Sequence, residues 1–64
     1  MCESSVFFAT EDGEQLVLAD VTAILPEEDG FLLTTLFGER KHVRGRLKQI
    51  DLLKHRLILE PGPG

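Results

Sequence analysis

Apolar positions along this chain recur at intervals of two rather than three or four, in short runs broken by Gly, Pro, Asp and Glu. That period belongs to β-strands with one buried face, because successive side chains of a strand point to opposite sides. Residues 5–10, with Val6, Phe7 and Phe8, are rich in strand formers. The Asp12-Gly13 pair that follows suits a tight hairpin turn with positive φ. Leu16 and Leu18 share one face of a run over 15–19, and Val21, Ala23 and Leu25 one face of the next. Pro26 withdraws a ladder donor there, and residues 27–30 are expected to turn the chain.

Residues 31–37 form the most apolar candidate strand, with Phe31, Leu33 and Phe37 on one face and Leu32 and Leu36 on the other. A strand of a small barrel needs only one buried face. The second apolar face therefore predicts either a bent, doubly covered strand or a dimer surface made by Phe31, Leu33 and Phe37. Two basic runs, 40–45 and 46–50, are expected as separate strands, followed by a polar connection at 51–55 and a last strand at 56–60. Leu47, Ile50, Asp51 and Lys54 have helical spacing, but that window is short and uncapped, so the strand reading is preferred. Six to seven short strands predict an all-β fold, a small open β-barrel of SH3-like or Sm-like type. Residues 1–60 are read as one domain and residues 61–64, Pro61-Gly62-Pro63-Gly64, as a disordered tail.

Length changes this picture by making the core thin. A chain of 64 residues hides only ~60% of its unfolded surface, and such domains usually gain support from a disulfide, a metal or a second subunit. One cysteine allows no internal disulfide, which leaves a metal or self-association. The first residues lack a basic stretch followed by an apolar one, and no apolar run approaches membrane-spanning length. A cytoplasmic protein without membrane contact is the expectation.

Charge is divided along the chain: residues 1–39 hold nine acidic and no basic residues, and residues 40–64 hold seven basic and two acidic. The split fits opposite charges facing across neighbouring strands. It also concentrates Arg40, Lys41, Arg44, Arg46 and Lys48 in one stripe that could meet RNA phosphates. The four aromatic residues are all Phe within apolar runs, which leaves few rings for base stacking. No nucleophile, base or phosphate loop has a recognisable spacing, so no enzyme is expected.

Cys2 is the residue whose position packing does not explain, since a chain end offers little burial. The bland reading is an exposed thiol. The functional one is chelation, in which a thiolate beside the terminal amine closes a small ring on a metal. With Met1 removed, the Cys2 amine and sulfur form that ring, and two chains would supply two nitrogens and two sulfurs; with Met1 retained, its amine and the Cys2 amide and thiolate serve. A square-planar set of this kind suits Ni(II) or Cu(II), and a tetrahedral one zinc. His42, flanked by cations that favour its neutral form, is a secondary candidate ligand. His55 reads as a turn residue.

Met1-Cys2, Thr34-Thr35-Leu36-Phe37-Gly38-Glu39 and the stretch from Gly45 to Leu59 together resemble the CooT family. The similarity covers nearly the whole domain. The family comprises small cytoplasmic nickel-binding proteins associated with maturation of the nickel enzyme carbon monoxide dehydrogenase, and relatives have also been labelled predicted RNA-binding proteins. The resemblance implies a homodimer of small β-barrels with Ni(II) near the dimer axis, held by Cys2, and a nickel enzyme or its maturation factors as partners. A histidine matching His42 occurs in relatives, without an assigned ligand role.

Overall fold

Alternating side chains and four turns organise the chain into five strands and no helix among the described residues. The computed structural model describes residues 3–62. Strand β1 is Ser4–Thr10, β2 Gly13–Glu27, β3 Gly30–Thr35, β4 Arg40–Asp51 and β5 Arg56–Pro61. Consecutive strands pair antiparallel. β5 then lies parallel to β1, with Val6 opposite Leu57 and Phe8 opposite Leu59, and the sheet closes on itself.

The closed ring of five corrects the expected open barrel of six to seven strands. Two long strands account for the difference, because each runs through a point read in the sequence as a break. β2 passes through Asp20, which adopts φ of 59°, and shifts its register beside Val21. Its first half pairs with β1 and its second half with β3. β4 passes through Gly45, pairing with β3 up to Arg44 and with β5 from Gly45 onward. Gly45 is no turn: a Cβ there would lie 2.5 Å from the Glu60 carbonyl oxygen, so glycine permits the close approach of β5. The window at 47–54, where the strand reading was preferred to a helix, is the end of β4 and a turn.

The first hairpin forms where the sequence placed it, one residue earlier. Glu11 and Asp12 make the turn, while Gly13 starts β2 with φ of 119°. Thr10 Oγ1 donates to the Gly13 carbonyl at 2.9 Å. At the other end, Pro61 pairs with Gly45 and the Gly62 N–H donates to the Arg44 carbonyl at 3.3 Å. The ordered chain therefore extends past the expected boundary at 60, since a strand's last position tolerates a residue without a donor. Pro63 and Gly64 lie outside the described residues.

Val6, Val21, Leu33, Val43, Leu57 and Leu59 form the buried core, with Phe8, Val17, Leu18, Ile24 and Phe31 packed around it. The run 31–37 does not continue as one strand. β3 stops at Thr35, whose nearly buried side chain accepts hydrogen bonds at Oγ1 from the N–H groups of Phe37 and Glu39 at 3.2 and 3.1 Å. Gly38, with φ of 84°, completes the turn. Leu36 and Phe37 thus leave the sheet. Leu33 is fully buried in the core, Phe31 is half-buried against it, and Phe37 is 78% exposed, so of the expected interface trio only Phe37 presents a large free surface. Replacing Thr35 with valine keeps the shape and leaves two turn N–H groups without their acceptor. We expect it to cost about 1–3 kcal/mol, measured as a lowered midpoint in urea.

Candidate functional site

Backbone register positions the start of β1 against the turn between β4 and β5. The Ser5 N–H donates to the His55 carbonyl at 3.0 Å, and Ser4 pairs with Val21 on the other side. That turn is held by Asp51, whose Oδ1 accepts the Lys54 N–H at 3.0 Å, and by His55 with φ of 56°. His55 is the turn residue the sequence suggested. Ser4, Ile24, Ile50, Asp51, Leu52 and His55 line a cavity of about 250 Å³ here. Leu52 and Leu53, 80% and 88% exposed, project from the same turn.

Cys2 and Met1, the principal candidate ligands, lie outside the described residues. Ser4 is two positions beyond Cys2 in the sequence. His42, the secondary candidate, sits elsewhere: it is on β4 opposite Leu32, and its Nδ1 lies 3.0 Å from Glu27 Oε1. It lines a different groove from Ser4. Among the described residues, no group of three His, Cys, Asp or Glu side chains is gathered to hold a metal.

The basic stripe lies along β4, but pleating divides it. Arg40, His42 and Arg44 alternate with Val43 and Gly45, which are buried, while Lys41 shares the parity of Val43. Lys48 falls at a register shift between Leu47 and Gln49. Carboxylates answer Arg44 and Arg46 of the stripe, and Arg56 beyond it. Arg44 Nε is 3.3 Å from Asp29 Oδ2, Arg46 reaches Glu60 at 3.7 Å, and Glu14 pairs with Arg56, whose guanidinium lies 4.5 Å from the centre of the Phe7 ring. Glu27–His42, Asp29–Arg44 and Glu14–Arg56 each join the acidic half of the chain to the basic half. Glu27–His42 joins β2 to β4 and Glu14–Arg56 joins β2 to β5, while Asp29 reaches Arg44 of β4 from the β2–β3 turn, so the halves meet between next-but-one strands rather than across the neighbouring strands that the sequence suggested. Each exposed pair contributes no more than about 1 kcal/mol.

Nothing in composition signalled the two features that pairing creates: the cavity at Ser4 and a larger groove beside Lys41. Both depend on strands that exchange neighbours midway, which alternation alone does not report.

Residues 1–60 match the family model for the CO dehydrogenase accessory protein CooT. A crystal structure reported under the CooT name, from Carboxydothermus hydrogenoformans, superposes with a TM-score of 0.86 at 40% identity, covering 94% of this chain and 97% of that one. An uncharacterised protein of Methanothermobacter thermautotrophicus is 38% identical over 60 residues, 94% of this chain and 89% of its own length. Another, from Methanocaldococcus jannaschii, is 33% identical over 60 residues, 94% of this chain and 98% of its own length.

Proposed function

Because the chain belongs to the CooT family of CO dehydrogenase accessory proteins, we propose that it holds Ni(II) through Cys2 and passes it on during maturation of a nickel enzyme of the carbon monoxide dehydrogenase type. The observation that carries this reading is the family match across residues 1–60, which includes Cys2. Nickel here is cargo, and the protein is a carrier rather than an enzyme.

The chemistry of the chain end supports the choice of metal. A thiolate next to an amine or a deprotonated amide is a strong-field donor set of small bite, and two copies supply two sulfurs and two nitrogens. Such a set in a plane suits Ni(II). A single thiol remains reduced and available in a cytoplasm, where the protein is taken to act. His42 is the weaker candidate, because Glu27 already engages its Nδ1.

A homodimer accounts for the shared metal and for apolar surface. Leu52 and Leu53 are exposed beside the cavity that Ser4 lines, and the Leu36 N–H is bonded to the Asp20 carbonyl next to Val21, the residue opposite Ser4. A second copy covering this end of the ring would bring two chain starts together.

Nickel titration of the wild type and Cys2→Ser tests the reading, followed by thiolate-to-nickel charge-transfer absorption and native mass spectrometry. The expected result is one Ni(II) per two wild-type chains and loss of both the absorption and the bound metal in the variant. Unchanged tight binding in Cys2→Ser would remove Cys2 from the site, and a strictly monomeric, metal-free wild type would remove the dimer as well.

A further inference from the structure

Strand exchange leaves two backbone edges facing each other across a groove. Residues 13–18 of β2 pair with β1 alone, and residues 40–44 of β4 pair with β3 alone. Gln15, Leu16 and Val17 from the first edge and Lys41, His42 and Arg44 from the second line an open groove of about 530 Å³. Phe8 and Pro61 are also part of its wall. The volume falls within the ~300–1,000 Å³ range of ligand sites, and the form is a trough rather than an enclosed pocket.

The backbone shows which way the second edge points. Gly62 lines the groove and donates its N–H to the Arg44 carbonyl. Backbone groups of a strand alternate in direction with period two, so Arg40 and His42 turn their N–H and C=O groups to the same side as Arg44. Among the described residues those groups have no strand partner. An unpaired edge is a template for an added strand.

The side chains select the chemistry of that strand. The groove is lined by the cationic Lys41 and Arg44 and by His42, and no carboxylate lines it; Glu27 and Asp29, which pair with His42 and Arg44, lie outside the lining. Lys41 has no carboxylate partner among the described residues. Phe8, Leu16 and Val17 provide apolar wall for the alternate side chains of an extended segment, and Leu16 is more than half exposed. We propose that this groove takes an acidic segment of a partner protein in extended conformation, added as a strand along Arg40 and His42 with its carboxylates on the face of β4 that carries Arg44 and its apolar residues on the opposite face, toward Val43 and Phe8. A nucleic acid fits less well: it needs exposed ring faces to stack on, and Phe8, the ring in the groove, is half-buried against the core.

A blocked hexapeptide alternating glutamate and leucine, titrated into isotopically labelled chain, tests this by amide chemical shifts. The protein is kept metal-free with chelator, so the outcome is independent of the nickel reading. The expected result is saturable shifts at Arg40, His42 and residues 15–17, affinity that falls with salt, and a roughly tenfold loss both in Arg44→Glu and when lysine replaces glutamate in the peptide. Leu16→Lys, on the opposite wall, should lose binding independently, and the circular dichroism of both variants should match the wild type. Absence of saturable shifts at millimolar peptide overturns the proposal, as does equal binding of the basic peptide or shifts confined to other strands. Shifts of the same amides by oligouridylate but not by the peptide would assign the groove to RNA and equally overturn it.

Discussion

Alanine at Gly30 is expected to leave the protein largely unfolded. Gly30 opens β3 where it lies opposite Arg44 of β4. A Cβ there would stand 1.9 Å from the Val43 carbonyl oxygen and 2.8 Å from the Arg44 Cα. Both are backbone atoms, so no rotamer change relieves the clash, and β3 and β4 must separate. That junction also aligns Phe31 with Val43 and Leu33 with Lys41. A cost of roughly 3–5 kcal/mol belongs to the upper tail of single substitutions. It rivals the whole stability of a 64-residue chain, roughly 3–10 kcal/mol at typical per-residue values. Gly38→Ala is the matched comparison: it has positive φ but nothing within 4 Å of the added carbon, and should cost only ~1 kcal/mol. The chain has no Trp or Tyr, so far-UV circular dichroism in urea is the suitable measurement. Equal, small losses in both variants would mean that the β3–β4 junction yields far more readily than its close approach indicates.

Truncating Leu33 to alanine has the second largest expected effect. Leu33 is fully buried and belongs to the cluster with Val6, Val21, Val43, Leu57 and Leu59. Removing its branched end forfeits transfer free energy and opens a cavity lined by strands tied in a ring, which limits collapse. The expected loss is about 2–5 kcal/mol. Phe37→Ala removes a larger side chain that is mostly exposed, and a single chain should lose well under 1 kcal/mol from it. A comparable loss for both variants would show that Phe37 is covered in solution. Concentration dependence of its melting would then identify a second copy as the cover.

Much of this protein is legible from alternation. Val6, Val21, Leu33, Val43, Leu57 and Leu59 all lie in runs read as strands, and the first hairpin was displaced by a single residue. Strand count was harder to read, because Asp20 and Gly45 look like punctuation. Their local chemistry is that of breaks, yet the first sits at a bend within β2 and the second permits a close approach within β4. The end of β3 was also hidden, since Thr35 looks like a strand former until its side chain is seen accepting two turn N–H groups. For the candidate metal site, Cys2 stood out by its place in the chain alone. The contact of β1 with the 52–55 turn was not legible, because it is made only through pairing between residues about fifty positions apart.

Local residue types and period-two spacing carry the all-β class, the apolar runs that hold the core, the first hairpin, the thiol of Cys2 and the division of charge. How those parts meet depends on contacts between residues far apart in the chain. Loop closure between distant strands sets which edge finds which neighbour, and that choice turned an expected open barrel into a closed ring. It also paired Arg44 and Arg46 of the basic stripe with carboxylates and left Lys41 facing an open groove.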